Sequence, residues 1–484
     1  MRYRILVLFS VALLLSGLAS SIGGETITND EARQIADNWK TLITYYSGEW
    51  NGRVDATVSE IIEFRSDDRL LGYYCTVEPS GYIIVSAVKG LAPVKIYSPT
   101  SRLDLEDTDG PTALFRFQME RLIREVELQV GPVAEITAEE VDEIMEYKHL
   151  RSLEMLSLKS DEFLREISHD RNRQDYIEEE ILLSSHWHQF WPYNIQVPDA
   201  SGGCTEDNCA VGCVATAAAQ IMRYWSWPPG RSWRLMRDYL NQTSPIKCMD
   251  STAELCAALG AAVGMDYCDD ECASSVPTAD MAPVYDAWHY VEPIIEIRDT
   301  VSQATWWQAI RAHISVNEPI QYRIQGHSMV LDGWREWFHG EYLPEYHMNY
   351  GWDNGDNAWY RIDRLLQIVE GATWEQEYMI RNIVPGGSLH STVSGPVYKL
   401  PFNYRYVNRD CTASAADFHP GQFIQFLPGV SLVCTRSFMQ FAGEPGNQTY
   451  LYTPEPNRGI RIDNGAIKFY PGSGIRFQQS RPGP

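Results

Sequence analysis

Apolar and polar positions change period several times along the chain, and each change predicts a different kind of element. Asp30-Glu31-Ala32 opens a stretch in which Ala36, Trp39 and Leu42 recur at helical spacing, so a helix is predicted with Asp30 as its cap. Gly72 to Val77 and Tyr82 to Ala87 read as two strands, separated by Glu78-Pro79-Ser80-Gly81. Pro presets φ and Gly permits positive φ, so the separator is a turn. Residues from Thr26 to Leu103 thus form a small α+β unit. Residues 135–180 differ, with 15 Asp/Glu against 6 Lys/Arg and no Pro or Gly. Leu153, Leu156, Phe163, Leu164 and Ile167 recur there at helical intervals, which predicts charged helices. Two readings stand: a solvated linker, or part of a removable pro-segment with processing somewhere before Ile181.

From Ile181 to about Pro385 the chain turns aromatic-rich and holds seven of the ten Cys. After Cys213 an Ala-rich run puts Val214, Ala218, Ile221, Met222 and Trp225 on one broad helical face. Pro319 to Ile324 alternates as a strand, Gln325-Gly326 permits a turn, and His327 to Gly333 follows as a second strand. Glu345 to Trp352 reads as a third. From about Gly395 to Pro484, short alternating runs punctuated by Gly and Pro predict a small all-β module. Within it Ile424-Gln425-Phe426-Leu427-Pro428-Gly429 is echoed by Ile467-Lys468-Phe469-Tyr470-Pro471-Gly472. The echo suggests stacked hairpins, with an ordinary hairpin pair or chance as the alternatives.

Composition narrows the class. The chain has 484 residues, 44% apolar and 21% charged, so it is globular, with room for about three domains at roughly 100–200 residues each. A net charge of −24 repels phosphate backbones and argues against nucleic acid as a partner. At the N-terminus Arg2 and Arg4 precede the uncharged run Ile5 to Leu18, followed by Ala19-Ser20-Ser21, the pattern of a secretory signal peptide. The run is shorter than the roughly 20 residues that span a bilayer, and no second one follows. A short buried helix is the alternative. An exported protein with no membrane span is therefore expected, in a compartment that permits disulfides.

Candidate chemistry centres on Cys213. The predicted helix places it at an N-terminus, where unpaired N–H groups and the helix dipole favour a thiolate. A Cys opening a buried helix is otherwise a small core residue, so a base is required. His327 supplies one at a strand start beside a glycine. On the third strand, Asn349 offers an amide oxygen to fix an imidazole, and Trp352 offers an indole to shield that bond. Upstream, Gln189 in Trp187-His188-Gln189-Phe190 offers a side-chain N–H to an oxyanion, along with the Cys213 N–H. Its plain alternative is an aromatic packing segment in which Gln189 is incidental. The order Cys, His, Asn is papain-like.

Three blocks carry a family resemblance: Gly212 to Tyr224, Gly326-His327 running to Asp332-Gly333, and His347-Met348-Asn349-Tyr350-Gly351-Trp352. Together they resemble the streptopain family of secreted papain-like cysteine peptidases, over roughly Ile181 to Pro385. Gly81 to Ala87 is more weakly similar to that family's inhibitory propeptide. The resemblance implies a papain-like α+β catalytic domain, with a nucleophile helix packed on an antiparallel sheet. It implies Cys213 as nucleophile, His327 as general acid/base, Gln189 in the oxyanion hole, and Asn349 and Trp352 in support. Three departures concern the cleft border. Tyr350 stands where the family usually has Trp, the loop after Trp352 is less Gly-rich, and the loop before His327 is short.

The organisation expected is a signal peptide at 1–24, an inhibitory propeptide and charged helical linker at 25–180, a peptidase domain at 181–390 and a β-rich module at 395–484. Cys204 with Cys209, Cys268 with Cys272, Cys248 with Cys256 and Cys411 with Cys434 are plausible disulfides, with connectivity open. A zinc site from Cys204, Cys209, Cys213 and His186 is the rival reading. The expectation is a secreted cysteine endopeptidase made as a zymogen, needing no cofactor or metal. Its partners would be protein or peptide substrates and its own propeptide. The alternative is an inactive or acyl-transferring relative that acts as an extracellular binding or adhesion protein.

Overall fold

The computed structural model describes residues 26–385 apart from 109, 170–175, 179–180, 201–203, 205, 229–230, 271, 291–292, 316, 339–341, 353–356 and 362–376, together with the backbone of eight strands between 404 and 478. The signal-peptide stretch lies outside the described residues. Helix α1 (Asn29–Ser47) starts at Thr28, whose hydroxyl accepts from Glu31 N while the Glu31 carboxylate accepts from Thr28 N. This capping box makes Thr28 the cap in place of Asp30, which instead puts its charge in the first turn. An antiparallel sheet follows: β1 (Thr57–Ser66), β2 (Arg69–Glu78), β3 (Tyr82–Ser86) and β4 (Val94–Ser98). At the β2–β3 turn Gly81 has φ +103°, and a Cβ there would lie 2.5 Å from Ser98 O, so only glycine fits. On one face of the sheet, Tyr73, Cys75, Ile83 and Val85 pack under Ile35 and Trp39 of α1. On the other, Leu71, Tyr82 and Ile84 pack under Phe115 and Met119 of α2 (Gly110–Val130).

Helices α3 (Ala138–Ile144), α4 (Leu150–Leu156) and α5 (Ser160–His169) occupy the acidic stretch. They are not a solvated linker. Leu156, Phe163 and Ile167 join the α1 core, and Asn38 Nδ2 donates to the carbonyls of Leu156 (2.8 Å) and Leu158 (2.7 Å). Leu164 alone of the predicted apolar set is exposed.

The second half comprises β5 (Tyr176–Glu178), α6 (Cys213–Trp225), α7 (Ile246–Val263), β6 (Asp266–Asp270), β7 (Ala273–Ser275), α8 (Met281–Ala287), β8 (Ile294–Ile297), α9 (Gln303–Ile314), β9 (Ile320–Ile324), β10 (His327–Phe338), β11 (Tyr342–Asn349), β12 (Ala358–Tyr360) and β13 (Tyr378–Arg381). Strands β8, β13, β9, β10, β11 and β12 pair in that order, and β12 pairs with β4, so one antiparallel sheet runs through both halves. The join is narrow: Trp359 opposite Tyr97, and Tyr360 opposite Ile96. Helix α6 buries its predicted face (Val214, Ala218, Ile221, Met222, Trp225) against Trp187, Val330 and Ile380. A helix led by the cysteine and packed on an antiparallel sheet is the papain-like α+β arrangement the blocks imply.

The observed disulfides are Cys204–Cys272 and Cys209–Cys268, which join the loop before Cys213 to the β6–β7 hairpin. The local pairs are therefore corrected to crossed ones. Cys248 and Cys256 are unbridged thiols on α7. Eight helical residues at 1.5 Å rise separate them by about 12 Å, beyond the roughly 7 Å a disulfide spans. With Cys204 and Cys209 oxidised, the zinc alternative loses two ligands. No group of three or more His, Cys, Asp and Glu among the described residues is placed to hold a metal. None of the described helices is long and apolar enough to cross a membrane.

The described residues of the tail are all in strands: β14 (Tyr404–Val407), β15 (Cys411–Phe418), β16 (Phe423–Phe426), β17 (Ser431–Phe441), β18 (Thr449–Tyr452), β19 (Gly459–Asp463), β20 (Ala466–Phe469) and β21 (Ile475–Gln478). Its pairings are parallel and fall in two sheets, β14-β16-β18-β21 and β15-β17 with β19 and β20 on β17. The chain passes from one sheet to the other and back, stacking rungs as a solenoid does. Hairpins are antiparallel, so the stacked-hairpin expectation is corrected. The echoed segments do not correspond either, since Ile424 lies on β16 and Ile467 on β20, in different sheets. The Cys411–Cys434 expectation concerns side chains outside the described residues.

Candidate active site

Gly212 precedes α6 with φ +86°, and a Cβ there would stand 2.6 Å from Met265 Cε. Glycine at this position lets the chain turn sharply into the helix and leaves Cys213 as its first residue. The helix has no acidic residue in its first turn to compete for the dipole. Cys213 keeps part of its surface open, yet burial pushes its thiol above the usual range. The Ser328 N–H and the positive charge of Arg323 oppose that rise. Gln321 fastens the contact, donating through Nε2 to Val214 O (3.1 Å) and to Ser328 Oγ (3.0 Å). Gln321 thus ties the residue after Cys213 to the residue after His327.

His327 opens β10 after the Gln325-Gly326 turn, in which Gly326 has φ +80°. Its Nε2 is 2.7 Å from Tyr350 O. A carbonyl only accepts, so Nε2 carries the proton, and Nδ1 of the neutral ring keeps the lone pair. The ring stacks on Trp352 at 4.0 Å and 15°. Burial lowers the His327 pKa to about 4, against the Tyr350 hydrogen bond that raises it, and Arg323 lowers it further.

Asn349 does not bond the imidazole as expected. Its Oδ1 accepts from Gln220 Nε2 (2.9 Å) and Gly351 N (3.2 Å), while Nδ2 donates to Ser185 O (2.7 Å) and Gln220 Oε1 (3.1 Å). Chain geometry explains the difference: β11 ends at Asn349, and the next carbonyl, that of Tyr350, is the one that faces His327. Trp352 accordingly covers the ring face and not an Asn–His bond. Gln189 is half-buried, and its carbonyl accepts from Val211 N (2.8 Å), two residues before Cys213. His327 and Trp352 are therefore brought together, the helix that Cys213 opens is tied to the start of β10 through Gln321, Gln189 lies on the segment beside Cys213, and Asn349 braces Ser185 and Gln220.

Gln220, Gln321 and Tyr350 were missed as site residues. Gln220 carried a signal: it is the one amide in an otherwise apolar stretch of α6, seven residues from Cys213 and so on the same face. Its Oε1 also accepts from Trp187 N (3.1 Å), tying three segments together. Tyr350 acts through its backbone, which no side-chain pattern marks.

The N-terminal half reaches this site. On α2, Gln118 Nε2 donates to Gln325 O (3.2 Å), Arg121 donates to Gln325 Oε1 (3.0 Å), and Phe115 meets the Tyr350 ring edge-on at 5.3 Å.

Residues 187–232 and 230–360 match the peptidase C10 family, and this span contains Cys213, His327 and Asn349. The matched segment is similar to the C10, or streptopain, family. Streptopain of Streptococcus pyogenes is 25% identical over 222 residues, 37% of this chain and 54% of that protein, so the match spans about half of streptopain's length. The thiol protease/hemagglutinin PrtT of Porphyromonas gingivalis is 22% identical over 393 residues, 74% of this chain and 41% of that one. Among solved structures, a prointerpain A fragment of Prevotella intermedia overlays with a TM-score of 0.49 at 17% identity, covering 68% of this chain and 99% of its own. The family match and streptopain bear on a cysteine peptidase domain alone.

Proposed function

We propose that this chain is a secreted cysteine endopeptidase made as a zymogen. The observation that carries the reading is the tie between the residue after Cys213 and the residue after His327, made by Gln321 Nε2 to Val214 O and Ser328 Oγ, with His327 Nε2–H committed to Tyr350 O. That leaves Nδ1 as the nitrogen to take the thiol proton. The thiolate then attacks the scissile carbonyl carbon, and the oxyanion is received by the Cys213 N–H and the Gln189 amide. His327 returns the proton to the leaving amine, which departs as the thioester forms. It next takes a proton from the water that hydrolyses that thioester. Trp352 covers the imidazole, and Asn349 and Gln220 hold the frame. No metal or organic cofactor enters any step.

In this reading residues 25–180 are the inhibitory propeptide, removed by cleavage before Ile181, and 395–484 is a separate module. The seating of α2 on Gln325 and Tyr350 supports it, because it restrains both neighbours of the His327 loop. The signal-peptide pattern supports export. The test is intact mass of the purified precursor and its Cys213→Ala variant under reducing conditions, followed by casein hydrolysis. The wild type is expected to shorten by its N-terminal segment and then cleave casein, and the variant to do neither. A wild type trimmed by an added protease and still silent on casein would defeat the reading.

A further inference from the structure

The segment from Leu182 to Gln189 runs with no helix or strand of its own, and polar side chains from elsewhere hold its backbone. Asn349 Nδ2 holds Ser185 O, and Gln220 Oε1 holds Trp187 N. The third hold is at the start of the segment. There Leu182 N donates to Asp332 O (2.9 Å) and Leu183 N to Asp332 Oδ2 (3.3 Å). Asp332 is wholly buried. A buried carboxylate is costly unless its oxygens are bonded, and its other oxygen, Oδ1, takes His347 Nδ1 at 2.6 Å.

The backbone is shaped for this. The β10–β11 register shifts between Leu331 and Gly333, so Asp332 is the extra residue of a bulge, which re-aims its side chain. His347 packs edge-on to Trp359 at 5.3 Å. A Cβ on Gly333 would come within 3.0 Å of His347 Cβ and 3.5 Å of Ile181 Cγ1, so the glycine lets the segment and the imidazole close on each other. Neither Asp332 nor His347 takes part in the proposed chemistry, yet both sit in the blocks that carry the family resemblance.

We propose that Asp332 and His347 are a positioning pair for Gln189, anchoring the start of the arm whose far end carries the oxyanion donor. The inference rests on the peptidase reading. It places the pair just after the stretch where cleavage is proposed, so that the arm stays in place once the preceding segment has gone.

The experiment is a double-mutant cycle on the full chain, with every variant trimmed by the same added protease. Removing one oxyanion donor costs about 10²–10³ in kcat, so displacing it through Asp332→Ala should cost about 10–100-fold with KM within about twofold. In a Gln189→Ala background the same substitution should cost less than about twofold. Asp332→Asn, which keeps an acceptor for Leu183 N, should restore most of kcat. Alkylation of Cys213 by iodoacetamide needs the thiol and imidazole but no oxyanion hole, and should be unchanged throughout. If Asp332→Ala does not fold, His347→Gln carries the same expectation at smaller amplitude. Losses that multiply across the cycle, or alkylation that falls in step with kcat, would overturn the proposal. A wild type with no Cys213-dependent hydrolysis overturns the peptidase reading as well, and shows it before any Asp332 variant is made.

Discussion

His327 contributes to the pH behaviour of the intact chain. Its ring is buried and neutral, with a folded pKa of about 4 against 6.5 in an unfolded chain. Above pH 6.5 both states are neutral and the group costs nothing. As pH falls from 6.5 towards 4, the unfolded chain gains a proton that the folded one refuses, so stability is lost through that window. At about 1.4 kcal/mol per pH unit, the loss approaches about 3 kcal/mol near pH 4. Urea unfolding of the Cys213→Ala precursor at pH 7.5 and pH 4.5 should show it, and adding His327→Asn should remove that part of the difference. The places of Cys213 at a helix start and of His327 after a glycine turn were legible because both are local patterns. The hydrogen bonding of Asn349 was not, because which carbonyl faces a ring depends on where β11 stops. Asp332, Gln220 and Gln321 act by bonding backbone far away in sequence, which no spacing within one segment encodes.

Helices and strands were legible where one face is apolar and the ends carry turn residues, as in α6 and the β9–β10 hairpin. Partner choice was not. The four loop cysteines pair crosswise because the β6–β7 hairpin lies alongside the loop before Cys213, a fact about tertiary neighbours. Those two disulfides close loops of 59 and 68 residues. Removing one such link commonly costs about 2–5 kcal/mol, so Cys209→Ser with Cys268→Ser should lower the melting temperature by several degrees. Dithiothreitol should lower the wild type similarly and leave the doubly substituted chain less affected. The reductant that keeps Cys213 competent would then also loosen the loop that presents it. Cys256, by contrast, is buried with its thiol pushed up to about 12, and should resist alkylation in the folded state.

Across the whole molecule, the two halves share a sheet: among the described residues β4 pairs with β12, and the short β5, just before Ile181, pairs with β10. Charge fills the β4–β12 join: Arg335 Nε and Arg361 Nη2 converge on Glu345 at 2.8 and 3.1 Å, and Arg335 lies 3.8 Å over the Trp359 ring. Burial lowers Arg335 to about 10, so it stays cationic at neutral pH. Such groups tolerate water if the halves part, as a purely apolar seam would not. Among the described residues the tail strands make no pairing with this sheet, so a chain ending at 390 should still shorten itself and hydrolyse casein within about twofold of the full-length rate. A truncated chain that aggregates or fails to process would show that the tail takes part in folding.

The parallel stacking of that tail has a further consequence for how it can vary. Each rung of a solenoid, about 20–30 residues here, meets only the rung before and the rung after. Excising one complete circuit therefore rejoins strands that already belong to the same sheet. Excising half a circuit delivers every later strand to the wrong sheet. Lineages that lengthen or shorten this module should do so in whole circuits, like links in a chain.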